Sequence, residues 1–367
     1  MKRTSFILLG ATLLLSLGFT TNNAPVSKIY VFGDLLIRSN TTAGRIEFFD
    51  LRRPSLLPKL ATIVVHDNSD VAVVDNIMYA DAGKDLILFD ISDIANVRAI
   101  DTIHSVFTQM RGRMFENELW VEDGVTSTGM SGCGGCMETP VAVDAPANME
   151  SGSSGSLARF AVSNGYLYCI DNSNVIVFDI TQTRRPQMKN SVYVNWEIET
   201  LFPYKNTLFV GGQRGVYLVD ITDGDTPTPL SEFEHGRGCD PVVVEDNRAY
   251  VTLRSGTRCG DIEDQLHILD VSNLRSPRLL KSFDVASPYG LAVRDGIVYL
   301  CDGPAGLKVI DTRDVNNPQV VAQITNIEPY DVILLEQHMV VTTRDRAIVY
   351  ELASKVPGAL GSISLLE

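Results

Sequence analysis

The chain has 367 residues, of which 45% are hydrophobic, 21% charged and 8% aromatic. That balance supports a large packed core and excludes a disordered or fibrous protein. Its 31 basic against 45 acidic residues give a formal charge of -14. No run of Lys and Arg offsets it, which argues against nucleic acid or an anionic membrane surface as a partner. At the N-terminus, Lys2 and Arg3 precede a mostly apolar stretch from Phe6 to Leu17. This is the pattern of a secretory signal, expected to occupy residues 1–24 with cleavage near Gly18 or Ala24. A stretch of this length falls short of a bilayer core, and no later stretch is apolar for long enough, so no transmembrane anchor is expected. Phe19 stands where a lipoprotein would need Cys. The chain is therefore expected to be exported and unlipidated, in the periplasm or at the cell surface.

The remainder, residues 25–367, repeats one motif: a short apolar run, then Asp, then Ile, Leu, Val or Thr. It ends at Asp50, Asp90, Asp179, Asp220, Asp270 and Asp311, with Glu351 in the last place. The spacings are 40, 89, 41, 50, 41 and 40 residues. A period near 40 is one four-stranded propeller blade. The unit ending at Asp311 reads as four strands: Tyr289 to Val293, Ile297 to Cys301, Leu307 to Ile310 and Val320 to Ile324. Asp295-Gly296 and Asp302-Gly303-Pro304 turn the chain between them. No amphipathic helical period intervenes. The expected fold is all-β: one seven-bladed β-propeller, with eight blades as the alternative. The two long spacings place insertions at about 107–156 and 254–265. The first contains SGCGGC and SGSSGS, which is loop composition, although Glu118 to Val121 has strand character.

The anchors VYLVDI, LHILDV and LKVIDT resemble the LVIVD repeat, a propeller-type repeat of bacterial and archaeal secreted and cell-surface proteins. KIYVFGDLLI, SDVAVVDNIMYAD, SLARFAVSNGYLYCIDNSN and CDPVVVEDNRAYVTLRSGTRC are similar to a Bacteroidota subgroup of that family. The likeness runs from Lys28 to about Leu352. It implies the propeller fold and a place outside the cytoplasm, and it implies no activity. Many relatives are lipoproteins, a pattern from which Phe19 departs.

Strand parity places both insertions on one face, because the loops entering first strands and those joining second to third strands share a side. Long loops on a rigid scaffold are where binding usually resides; the alternative is that they cover a strand edge. Asp70, Glu199, Asp240 and Asp331 open first strands. As hard oxygen donors near the channel mouth they could hold Ca²⁺ or a cationic or polar ligand; as turn residues they would bond nearby backbone N–H groups. Arg254, Arg258 and Asp261 are the loop residues expected to touch the same ligand. Cys239 and Cys259 flank one blade and are expected to form a disulfide in an oxidising compartment. Cys133 and Cys136 form a lone C-x-x-C, a weak Zn²⁺ or redox signal that becomes a four-thiolate site only if Cys239 and Cys259 join it. Cys169 and Cys301 read as small buried hydrophobes.

The five His residues show no metalloprotease spacing, and neither a nucleophile elbow nor a phosphate loop is present. Glu197, Glu199, His235 and Cys239 form the one cluster that could supply an acid and a base. The expected function is that of an exported, monomeric, non-catalytic binding or scaffold protein of the envelope, requiring no cofactor. Its partner would be an envelope protein, a glycan or a small polar ligand held on the inserted face. The alternative is a hydrolase or lyase with its site at the channel mouth.

Overall fold

The structure, a computed structural model, describes residues 27–108, 151–235, 241–255, 263–352 and 357–365. Seven antiparallel sheets form a β-propeller, each blade with four strands in sequence order from the channel outward, and the sheet of blade 1 gains a fifth, two-residue strand, Ser153–Ser154, on its inner edge. Blades 1 to 7 span 28–64, 71–103, 160–193, 198–234, 242–284, 291–324 and 329–364. Seven is the count the repeat spacing favours. The strand reading of the sixth blade also holds closely, with strands Leu291–Arg294, Ile297–Cys301, Leu307–Asp311 and Gln319–Ile324. Glu118 to Val121 lies outside the described residues.

The repeated motif is a turn device. Each anchor Asp ends a third strand, and its carboxylate accepts the backbone N–H two residues on. The distances are 3.0 Å at Asp50, 3.0 Å at Asp90, 2.9 Å at Asp179, Asp220 and Asp270, and 3.1 Å at Asp311. Asp is suited to this because its short acceptor reaches its own backbone. A hydroxyl or an Arg on the same carboxylate, joined by the donated N–H, holds these carboxyls below the ordinary range, for example to about 2 at Asp270, where the Ser272 hydroxyl weighs most. The next residue explains the Ile, Leu or Val of the motif. Its N–H reaches back to the turn between the first two strands, as from Ile180 to the Gly165 carbonyl at 2.8 Å, while its side chain is buried.

In blades 2, 3, 5 and 6 those first turns are two-residue hairpins with left-handed backbone at both positions, as at Asn164-Gly165 and Asp295-Gly296. Asn, Asp and Gly tolerate that conformation, whose twist suits the flanking strands. Every blade also carries a bulge between its third and fourth strands at the same place, just before the anchor. The bulge sharpens the twist that lets the sheets radiate.

Third strands such as Asn174–Asp179 are buried through their middle, because each sheet packs on both faces. Ring closure places greater demands on the chain. Blade 1 comes wholly from the N-terminal side and blade 7 wholly from the C-terminal side, so no sheet joins the two termini. The seam closes by face packing of Ile29, Val31, Leu36 and Phe49 on Ile333, Val340, Val349 and Ile363. Arg38, 1% exposed, spans that seam. It pairs with Glu47 at 2.8 Å, donates to Ser27 Oγ at 3.2 Å, and donates to the carbonyls of Ser364 and Leu365.

Arg38→Ala is expected to cost about 2–3 kcal/mol, because it leaves the Ser364 and Leu365 carbonyls short of a donor, while Glu47 keeps Lys59 at 3.0 Å and Arg45 at 3.5 Å. Arg38→Lys should recover only part of this, since an ammonium cannot fork to four acceptors. Urea denaturation checks it; a loss under about 1 kcal/mol would contradict the seam's dependence on Arg38.

Candidate functional site: the channel and its inner strands

A propeller channel is lined by edge strands, whose outward N–H and C=O groups lack a neighbour. In this chain part of that edge is covered from within. The first insertion was expected on the rim, but its described end, residues 151–157, lies inside the channel. Ser153 and Ser154 pair antiparallel with Val31 and Tyr30 of blade 1, and Ser151 bridges Val74 of blade 2. Gly152 donates its N–H to the Val73 carbonyl at 3.1 Å. The Tyr30 hydroxyl accepts the Val73 N–H at 3.1 Å. Gly152 sits against the Tyr30 ring and the Val31 carbonyl, where a Cβ has no room. Val74 ends its strand at the far face, the side of the first hairpin turns, so this segment climbs the channel towards the face at which first strands begin.

At the top the segment ties several blades together. The Ser156 hydroxyl donates to Asp331 Oδ1 at 3.1 Å and accepts the Leu291 N–H at 2.9 Å. The Leu157 N–H points at Asp331 Oδ2, and the Ala158 carbonyl accepts the Leu201 N–H at 2.8 Å. Gly155 and Gly290 both lie against the Asp331 carboxylate, where a side chain would collide. Burial pushes the Asp331 carboxyl up to about 6, against the pull of the Val332 N–H, the Ser156 hydroxyl and the Lys28 charge.

The other acids are placed as follows. Asp70 is 3% exposed. It pairs with Lys28 at 3.0 Å and accepts the Arg159 N–H at 2.7 Å and the Val71 N–H at 2.9 Å. Burial holds the Lys28 ammonium below its usual range, with Asp70 opposing. Glu199 accepts from the Gln213 amide at 3.3 Å on the rim of blade 4. Arg254 is buried and lies over the Tyr289 ring at 4.2 Å, a cation–π contact. The structure thus draws Asp70 and Asp331 into the channel wall with Lys28 and keeps Glu199 and Arg254 apart on the rim. Asp240, Arg258 and Asp261 lie outside the described residues, as do Cys133 and Cys136. Among the described residues no group of three or more His, Cys, Asp or Glu is placed to hold a metal ion.

The cysteine expectation needs correction. No disulfide bond is present among the described residues, where Cys169 and Cys301 are buried free thiols. They stand on second strands within the sheets, and burial pushes both thiols up. Cys239 and Cys259, the expected pair, lie outside the described residues. The His235 ring lies 6.4 Å from Phe233, and burial, aided by the His235 charge, holds His267 down at about 4.

Sequence reasoning missed a second set of acids. Asp81, Asp171 and Asp302 end second strands and clamp the loop that precedes their blade. Asp81 accepts the N–H groups of Ser69 and Asp70 at 2.7 and 2.9 Å. Asp171 accepts the Thr108 N–H and hydroxyl, and Asp302 accepts the N–H groups of Ala286 and Ser287. The signal was available in YAD, CID and CDG, each ending a second strand.

Two cavities lie along the channel. One of about 20 Å³ lies between Lys28, Asp70, Asp331 and Leu157, enough for a single water. The other, about 290 Å³, lies in the lower channel beside Ser153 and Ser154. First strands of blades 4 to 7 wall it, through Phe202, Val244, Val293 and Ile333.

A pH experiment isolates Asp331. Its folded pKa is raised, so the folded chain holds a proton that the unfolded chain releases near 3.8. Stability from this group therefore grows as pH falls from about 6 towards 4, and the ionised carboxylate weighs fully against folding above 6. Asp331→Asn is expected to raise Tm relative to wild type more at pH 7 than at pH 5. A Tm difference that is flat over that range would contradict the enclosed carboxyl.

No protein-family model matches the chain, and no curated protein matches it. Solved structures do. The chain is similar to hydrazine synthase of Kuenenia stuttgartiensis, with 12% identity and a TM-score of 0.60 over 92% of this chain and 99% of that one. It is also similar to the computationally designed protein Ika8, with 14% identity and a TM-score of 0.56 over 93% and 87%. A third is BamB from Moraxella catarrhalis, with 9% identity and a TM-score of 0.53 over 86% and 79%. At these identities the likeness shows the propeller fold alone.

Proposed function

We propose that this chain is an exported, non-catalytic binding or scaffold propeller of the cell envelope, of the LVIVD-repeat kind, that presents the face at which its first strands begin to a partner. The observation that carries the reading is the pair of aromatics on that face. Trp196 is 72% exposed in the loop entering blade 4, and Tyr193, three residues earlier, is 55% exposed. Trp and Tyr supply large contact area at little entropic cost, and they dominate protein-binding surfaces. Glu199 stands on the strand that follows Trp196, and the second insertion opens on the same face.

The anchor turns support the LVIVD likeness, since they give the repeated Asp a structural task common to all blades except the last, where Glu351 replaces it. The leader-like residues 1–24 support export. In the described structure no helix is long and apolar enough to cross a membrane. The catalytic alternative would call on Asp331, whose carboxyl burial pushes up to about 6. That carboxyl is enclosed by Gly155, Ser156, Leu157 and Gly290 of the chain itself, so a substrate would have to displace the channel segment first.

The test compares three proteins on glycan arrays, in Ca²⁺ titrations and against purified envelope proteins: wild type, Trp196→Ala, and a deletion of residues 124–150 that keeps Ser151–Leu157. Trp196→Ala is expected to weaken the partner found by about 30-fold, the worth of an interfacial Trp at about 2 kcal/mol. The deletion should weaken it as well. Unchanged binding in both variants would overturn the assignment of that face, and turnover of a panel of glycoside and ester substrates would overturn the non-catalytic reading.

A further inference from the structure

The outer strand of each blade ends its sheet at the ring's perimeter, where a row of unpaired N–H and C=O groups can receive another strand. Proteins blunt such edges with charge, proline, glycine or cover. Six of the seven described outer strands follow that rule. Lys59–Val64 carries Lys59, Arg98–Ile103 carries Arg98 and Asp101, and Gln187–Tyr193 carries Lys189. Thr228–Glu234 carries Pro229, Glu232 and Glu234, and Arg278–Asp284 carries Arg278, Lys281 and Asp284. Gly358–Ser364 has no charge but is interrupted by Gly358 and Gly361, and Gly361 packs against the Pro54 carbonyl of blade 1.

The outer strand of blade 6 has none of these devices. Gln319–Ile324 reads Gln-Val-Val-Ala-Gln-Ile, and its one strand neighbour among the described residues is Leu307–Asp311. Val320 and Val321 are 43% and 54% exposed. A short uncharged segment with β-branched side chains and neither Pro nor Gly is the kind that adds most readily to another strand. The bulge near its start occurs in every blade and does not set this edge apart. Exposed apolar side chains alone are not the distinction either. In blade 5, Leu279 and Leu280 are 45% and 41% exposed, but they stand between Arg278 and Lys281.

Charge selects the occupant. At a formal charge of -14, two copies of the chain repel over most of their surface, and a charge-free strip is where they can meet. A basic partner would find no carboxylate on this strand. The charges flanking it in blade 6 are Asp311, Arg313 and Asp314 in the turn before it, Lys308 on the third strand and Glu328 in the loop after it. Arg313 pairs with Asp311, Lys308 pairs with Asp302, and Asp314 accepts the Asn316 N–H at 3.1 Å. A two-fold axis at the middle of the strand lays it antiparallel against its own copy, so that uncharged residues face uncharged residues along its length. We infer that two copies of the chain join by antiparallel pairing of Gln319–Ile324 with itself, which makes one continuous eight-stranded sheet from two sixth blades. This departs from the monomer expected from the sequence. The edge lies on the perimeter of blade 6, so the inference is independent of the binding face proposed above. Pairing over this length buries less than about 1,200 Å², the range of weak association, with a Kd of about 10–300 µM.

Sedimentation equilibrium of the purified protein from about 5 µM to about 1 mM tests it. A monomer–dimer equilibrium is expected. Val321→Lys, at an exposed position, should leave only monomer with Tm and the circular dichroism spectrum unchanged, while Leu279→Lys on blade 5 should keep the dimer. Two acidic bodies meeting through a neutral edge repel less in salt, so raising NaCl from about 50 to about 500 mM should tighten the dimer by about threefold or more. In the unaltered protein, amide exchange over residues 319–324 should slow as concentration rises through the Kd. A monomer at every concentration, species larger than a dimer, a dimer that persists in Val321→Lys or is equally lost in Leu279→Lys, a dimer weakened by salt, or exchange over 319–324 independent of concentration would overturn the proposal.

Discussion

A four-stranded blade has two apolar faces and two unpaired edges, and the ring must dispose of all four. The faces are hidden by neighbours, which is why third strands such as Val175 to Phe178 are buried on both sides. The outer edge faces water and follows the alternation seen in Lys59–Val64, half exposed and half sheltered. The inner edge is the harder case, because its outward N–H and C=O groups have no neighbouring strand. The chain resolves it in part by returning its own segment 151–157 into the channel. Ser156 then serves blades 6 and 7, while Gly152 to Ser154 serve blades 1 and 2.

The same constraint explains the acids. An Asp at the start of a first strand is not a free ligand donor here. Asp70 takes up Lys28 and the backbone at the start of blade 3, and Asp331 takes up Ser156 and Leu157. Both stitch one inner strand to the next element around the ring. Asp81, Asp171 and Asp302 do similar work one strand further out. The acidity of the sequence is thus partly an expression of how often a carboxylate must gather backbone N–H groups where four strands turn. The seam between blades 1 and 7 lacks a shared sheet and depends on Arg38 reaching across it to the last two carbonyls of the described chain.

Blade number and strand positions were legible because the motif couples an apolar run to an Asp at a fixed period, and the structure gives that pair one mechanical role in six blades. The bulges before each anchor were not legible, since an extra residue within an apolar run leaves no mark on composition. The path of residues 151–157 was hidden for a similar reason. Ser-Gly-Ser-Ser has loop composition, and the pairing that draws it into the channel is made by backbone, which the sequence does not display. Asp70 and Asp331 stand at first-strand openings, but the groups they bind, Lys28, Ser156 and the N–H groups of Arg159 and Leu157 among them, come from other parts of the ring and are visible only in three dimensions. The disulfide expectation rested on compartment and parity alone and finds no bond among the described residues.

The central claim is that the chain closes part of its own channel by strand addition. Amide exchange of the free protein at Gly152 and Ser154 tests it most directly. Gly152 donates to Val73, and Ser154 is paired across from Tyr30. Exchange at Gly152 slowed by about a thousandfold or more relative to an unstructured peptide, approaching that of the inner strands, is the result this account expects. Exchange at the rate of an exposed loop would mean that the segment does not reside in the channel, and the account of the inner edges would fail with it.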